Sequence, residues 1–541
     1  MFHEDDPSKE ATAFTDAFRA SLPLSSPPSV DCRGFVFPKG FDWHLLGGEG
    51  RTLPMLELGR AQFPGDVSFA GLTFNGPTDF GRAVFKGLAR FDACEFGGKV
   101  GFTLAVFESA ADFRGARFRG PATFNRTHFG GEATFVEARF DIGAPLSMRA
   151  CLFEGNATFS RAQIDGPADF TLLRPVVLSS GAAPPPVSPP TRLVFRGRVS
   201  LVDARFGSPV HFRGVDFSEV TQLQRTSFAD TVDFEDVVFS GPLDMSGAKL
   251  NGGGRFTDVE FLTSAALDGL NIGGPLLLEA SVADPAEVPD VRSGSARRPT
   301  WRGVSLGRVA VSGEGSLCFR GVDLGATTFM GTDLRAASFE AVRWPRLGAM
   351  AGARCFIADE KALQLASLTG PDRRDLAARL RVLFSAVRQT YESKRIFDLA
   401  GDFHAGEMRM RARQLSWWSP DRWALAAYRV FAHYGESWLA PLFWLVVLVF
   451  GLAALELVGG LWINTSMANA GSGWDWLRLD WSTATLGDYW GTAVPYTLRV
   501  LSLQRPVEAY AQAAWLGALA PLIGAVLVAL LILGLRRRFR R

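Results

Sequence analysis

Large rings recur along the first two thirds of this chain on a fixed beat. They stand at Phe69, Phe74, Phe80, Phe85, Phe91, Phe96, Phe102, Phe107, Phe113 and Phe118, and then at Phe124, Phe129, Phe135 and Phe140. Gaps of five and six residues alternate without a miss, and a run of that length does not arise by chance. The register begins at Leu58 and Phe63. It slips by one residue near Leu146 and resumes at Phe153, Phe159, Ile164 and Phe170. It returns from Phe195 to Leu278 and closes with strict fives at Phe319, Leu324, Phe329, Leu334, Phe339 and Trp344. A helical seam is excluded, because five residues advance an α-helix by about 500° and leave successive rings roughly 140° apart. Glycine is also frequent in this stretch, at a cost of about 1 kcal/mol per residue inside a helix. The residue two before each ring is usually small, as at Ala83, Ala89, Cys94, Ala105 and Ala111. In an extended chain those two positions share a face, so a large and a small side chain point inward together.

Three units carry the pattern most clearly: Val322-Asp323-Leu324-Gly325-Ala326, Thr332-Asp333-Leu334-Arg335-Ala336 and Ala337-Ser338-Phe339-Glu340-Ala341. They resemble the A-(D/N)-L-x-x unit of the pentapeptide-repeat family, and the earlier stretch resembles its phenylalanine-centred variant. The resemblance covers residues 58–345. It implies a mainly β fold, a right-handed quadrilateral β-helix with about 20 to 22 residues per coil. Some ten coils stacked about 4.8 Å apart make a rod of about 45–50 Å. The extra residue of each six is expected to bulge at a corner. Residues 1–57 read as an N-terminal segment and cap. Two proline-rich stretches, 173–192 and 282–300, read as loops leaving a solenoid face.

Catalytic, cofactor-binding and metal-ligating sets are not expected. The five cysteines form no C-x-x-C pair, and Cys94 and Cys151 fall on inward positions as core fillers. Gly303-Val304-Ser305-Leu306-Gly307 matches the nucleophile-elbow string but lies beside a coil, without the strand–turn–helix setting that chemistry requires. His404 and Glu407 are three apart on a helix and read as a solvated face. Some pentapeptide-repeat proteins mimic nucleic acid, which requires an acidic face. Between Asp66 and Arg174 there are twelve acidic and twelve basic residues, so neither that role nor nucleic-acid binding is expected.

Past Trp344 the period becomes helical. Leu376, Leu380, Leu383, Val387 and Tyr391 define one helix, a second is expected from Arg395 to Gln414, and residues 346–435 read as a neck. Residues 436–541 read as a two-helix transmembrane hairpin, with apolar runs at 438–463 and 513–535 that are long enough to cross a bilayer. Arg536, Arg537 and Arg538 after the second run, with Arg422 and Arg429 before the first, place both ends on the cytoplasmic side. The Met1–Glu10 segment has no apolar core of a secretory signal, which agrees with that orientation. Trp417, Trp418, Trp423 and Tyr428 belong to an interfacial helix at that boundary. The loop 464–512 then faces outward, and residues 491–503 within it read as a re-entrant or interfacial segment. Span, segment, span is similar to the plan of two-span ion channels, which makes Glu456, Thr492, Pro495, Thr497 and Arg499 the candidate pore residues. Thr497-Leu498-Arg499-Val500-Leu501 departs from the glycine-containing filter of potassium channels. Glu456, near the end of its run, is expected at headgroup level.

The expected function is a non-enzymatic inner-membrane protein whose cytoplasmic solenoid binds protein partners, with the lipid bilayer as its other contact. The alternative is a channel-like homo-oligomer whose pore the solenoid regulates.

Overall fold

The computed structural model describes residues 11–21, 29–45, 52–53, 55–173, 192–280, 301, 303–347, 354–365, 370–459, 461–464, 474–477, 486–502, 504, 509–511 and 514–539. The two proline-rich stretches lie outside them, apart from their edges at residues 173 and 192. The chain divides into two units, residues 1–365 and 366–541.

The first unit is a parallel β-solenoid of about twelve turns, two more than the ring count suggests. One coil comprises four two-residue strands, Val67–Ser68, Thr73–Phe74, Thr78–Asp79 and Val84–Phe85, after which Ala89–Arg90 lies in register on Val67–Ser68. Many inward rungs join like to like. Phe96 pairs with Phe74 and Phe118, and Phe107 with Phe85 and Phe129. Two neighbouring faces merge into one sheet, because the strands Val210–Phe217 and Val232–Phe239 continue around their shared corner.

Stacking puts each ring over its counterpart. Along Phe69, Phe91, Phe113, Phe135 and Phe159 the centroids are 4.7 to 4.9 Å apart and the ring planes nearly parallel. Rings on adjacent faces meet edge-on, as Phe102 meets Phe113 at 5.6 Å and 85°. Both arrangements are favourable for aromatic quadrupoles. All ten rings from Phe69 to Phe118 are fully buried.

The alternation of five and six corresponds to two kinds of corner. Five-residue gaps contain a turn with one left-handed residue, such as Arg82, Leu104 or Arg126. Six-residue gaps contain a bend where backbone rests on backbone. A Cβ on Gly120 would lie 2.6 Å from the carbonyl carbon of Gly98, so only glycine fits there.

The small inward positions carry more than bulk. The Cys94 thiol donates to the Phe69 carbonyl at 2.8 Å and Cys151 to Phe124 at 2.7 Å. The Thr127 hydroxyl does the same to Phe102 at 2.7 Å. Burial pushes the Cys151 thiol up to about 12, and Cys94 also upward, so neither is a reactive thiolate at neutral pH.

Both ends of the stack are covered. Helix α1 (Ala11–Ser21) sets Phe14 and Phe18 against Phe37 and Phe41, and Phe37 stacks on Phe63 at 5.1 Å. At the other end Arg346–Leu347 pairs antiparallel with Arg354–Cys355. Residues 346–365 therefore belong to the solenoid unit and not to the neck. There Asp359, 4% exposed, accepts a hydrogen bond from the Phe329 amide at 2.9 Å.

Burial pushes the Asp359 carboxyl above its ordinary range, against the opposing pull of the Phe329 amide. As pH rises the unfolded chain ionises this group first, so stability falls through the interval between the two pKa values and stays lowered above it. Asp359→Asn keeps an acceptor and removes the charge. We expect it to raise the melting temperature at neutral pH and to give no gain at pH values where the unfolded carboxyl is already protonated. Melting curves of both proteins across pH check this.

The second unit contains α2 (Gly370–Ser393), α3 (Phe397–Gln414), α4 (Pro420–Ala432), α5 (Leu439–Gly459), α6 (Leu486–Leu501) and α7 (Ala514–Phe539). α2 and α3 form an antiparallel hairpin. Tyr391 stacks on Phe403 at 5.8 Å, and Gly406 leaves room for the Phe384 ring. Arg388 Nε donates to Glu407 Oε2 at 3.0 Å. Glu407, 8% exposed, is thus held by an arginine across the hairpin and does not lie on a solvated face.

α5 and α7 each contain an 18-residue stretch long and apolar enough to cross a membrane, and only 28% of either stretch is buried. A core helix of a soluble domain would be mostly covered. Three short strands form an antiparallel sheet beyond the far end of α5, with Leu461–Asn464 between Trp474–Leu477 and Ala509–Ala511.

Candidate functional site

Outward residues decide what a solenoid presents. In a parallel stack, in-register side chains repeat about every 4.8 Å, so opposite charges on adjacent rungs pair readily. On one face the register aligns Asp169 with His211, Asp233 and Arg255. Two residues on, a second file aligns Thr171 with Arg213, Glu235 and Thr257.

These two files line a cleft of about 610 Å³, which Arg149, Leu172 and Glu279 complete. Gly214 has φ +62°, and Leu172 Cδ2 occupies the space a Cβ there would need, 2.2 Å away. Inside, Arg149 Nε donates to Asp169 Oδ2 at 2.6 Å, His211 Nδ1 lies 3.2 Å from Asp233 Oδ2, and Arg213 lies 3.0 Å from Glu235.

Three groups in the cleft remain unmatched. Arg255 makes no ion pair with a described residue. Asp169 Oδ1 and Thr257 Oγ1 are buried without a hydrogen-bond partner among the described residues. A free guanidinium, a free hydroxyl and a free carboxylate oxygen in one cleft are suited to a polar ligand that brings both donors and acceptors. The ring periodicity gives no sign of this cleft, because the outward residues that form it do not repeat. The signal available was the match of charge at 22-residue offsets.

The second candidate lies between the apolar helices. Ala453 of α5 and Ala493 of α6 are fully buried against each other's helices, with Trp490 and Val494 packed around them. Small residues of this kind let two helices approach closely. One turn further on, the Thr497 hydroxyl lies 2.8 Å from Glu456 Oε2 and 2.9 Å from the Ala493 carbonyl. Glu456 is 6% exposed and Thr497 is fully buried. Glu456 therefore sits in a contact between two helices.

Residues 491–501 of the segment expected to be re-entrant or interfacial lie in α6, which begins at Leu486. Thr492 lies in the same helix, and Pro495 and Arg499 are exposed on it. α6 packs against both α5 and α7. Arg536, Arg537 and Arg538 close α7, with Arg536 exposed.

Catalytic geometry is not found at the matched string. Ser305 Oγ donates to Asp268 Oδ1 at 2.6 Å within a coil. Among the described residues no cluster of three or more His, Cys, Asp or Glu is placed to hold a metal ion.

Residues 58–105, 102–147 and 124–171 match the family model described as pentapeptide repeats, nine copies. No curated protein and no solved structure matches the chain.

Proposed function

We propose, since this chain belongs to the pentapeptide-repeat proteins and carries two helices apolar enough to cross a membrane, that it is a membrane-anchored docking platform. α5 and α7 hold it in the inner membrane with both ends cytoplasmic, and a protein partner binds on the solenoid. The observation that carries the reading is the cleft of about 610 Å³ with its unmatched Arg255, Thr257 and Asp169. Each coil is braced by the next through paired backbone, so the outward files keep a fixed spacing when a partner arrives. Such a surface binds with little ordering cost.

A photo-crosslinker at Thr171 or Arg255 is expected to trap one recurrent partner, and one at Arg205 on another face is not. The charge reversal Arg255→Glu is expected to reduce capture at least tenfold, the loss of about one charge-assisted hydrogen bond. Equal trapping from both faces would count against the assignment.

A second reading has its own observation, the buried Glu456–Thr497 pair where α6 packs on a span. In that reading several copies assemble into an ion pathway. It requires flux in liposomes that disappears when residues 491–503 are deleted. The platform reading expects no flux.

A further inference from the structure

α4 turns an apolar stripe to the outside. Trp423, Ala427 and Val430 are exposed along it, with Trp417 and Trp418 exposed just before it. Trp418 is 84% exposed, an unfavourable position for an indole in water. Arg422 and Arg429, seven residues apart, follow the edge of this stripe on a common side of the helix. The Arg422 guanidinium lies 5.6 Å from the centre of the Trp417 ring, and its Nη1 donates to the Leu415 carbonyl at 3.2 Å.

The position of α4 says what covers this face. It packs against both α5 and α7. Trp444 in the second turn of α5 donates to the Val430 carbonyl at 3.0 Å, and its ring meets Phe431 edge-on at 5.2 Å. Gly534 of α7 lies against the backbone of Trp438, so Arg536 to Arg538 leave the hairpin beside the start of α5, at the end where α4 packs. The stripe of α4 thus continues the exposed apolar surface of two helices suited to a bilayer, with arginines gathered where that surface meets water. Indole and guanidinium groups at such a boundary match the two components of an anionic lipid, its acyl margin and its phosphate.

We propose that α4, with Trp417 and Trp418 ahead of it, forms a collar that binds the headgroups of anionic phospholipids through Arg422 and Arg429. Arg422 is preorganised by its ring contact and its carbonyl bond, and guanidinium pairs with phosphate through two parallel hydrogen bonds. This rests on the reading of α5 and α7 as spans.

The test uses the full chain, purified in detergent and titrated separately with phosphatidylglycerol and phosphatidylcholine, with bound lipid counted by native mass spectrometry. The wild type is expected to prefer phosphatidylglycerol. The double variant Arg422→Gln/Arg429→Gln is expected to lose about tenfold or more of that preference, with phosphatidylcholine binding unchanged. Equal affinity for the two lipids overturns the proposal. So does an unchanged preference in the double variant, which would assign the effect to Arg536–Arg538. A dimer in which the stripe is protected from labelling also overturns it, because a second copy would then be the cover. Alkaline carbonate extraction separates the two readings. Release of the chain from membranes refutes the spans, whereas retention without lipid preference refutes the collar alone.

Discussion

Phe113→Ala is expected to remove about 3–5 kcal/mol from the stability of the solenoid, the cost of truncating a fully buried phenylalanine. The ring is completely inaccessible and meets five others, Phe107 among them edge-on at 6.2 Å. Phe91 and Phe135 lie above and below it at 4.9 and 4.8 Å, and Phe102 and Phe124 meet it edge-on at 5.6 Å. The cavity cannot collapse, because the backbone around it is held in register by ladders on every face. Hydrogen exchange on the full chain is the suitable measurement. Protection should fall in the strands from Ala89 to Phe140, while amides of the α2–α3 hairpin keep theirs. A loss below about 1 kcal/mol would mean that the rings fill space without bearing on one another.

Thr497→Val is expected to cost about 2 kcal/mol, because it removes the hydrogen-bond partner of Glu456 and leaves a carboxyl enclosed between two apolar helices. The informative comparison is with Glu456→Leu/Thr497→Val. Removing both partners leaves an apolar contact next to Ala453 and Ala493, and most of the loss should be regained. Unfolding of the four proteins of this cycle in detergent gives the coupling directly. A double variant as unstable as the sum of the singles would show that the two groups do not interact.

Much of the solenoid was readable from one residue type, for a physical reason. A ring that must stack on its counterpart recurs once per quarter coil, so packing is written as spacing. The small inward positions were readable as space fillers, but their bonds were not. Cys94 reaches Phe69 and Thr127 reaches Phe102 because one coil lies directly on another, and that offset depends on corner geometry. The cleft was hidden because Asp169, His211, Asp233 and Arg255 take their meaning from being neighbours on successive rungs. Glu456 and Thr497 are 41 residues apart on separate helices, and apolar composition carries no information about which faces meet. The start of α6 was missed for a simpler reason. An apolar run counted from Gly491 omits the helical turn that contains Gly487 and Asp488.

Ile164 and Phe206 are ladder partners, as are Ile272 and Val311, although most neighbouring rungs are joined by coils of about 22 residues. The stack closes at both places without registering how much polypeptide lies between. New sequence can therefore be spliced there, by gene fusion in a laboratory or by drift across generations, without disturbing the order of the rungs. A protein built this way can acquire a new recognition element while its core goes on folding by the same rule.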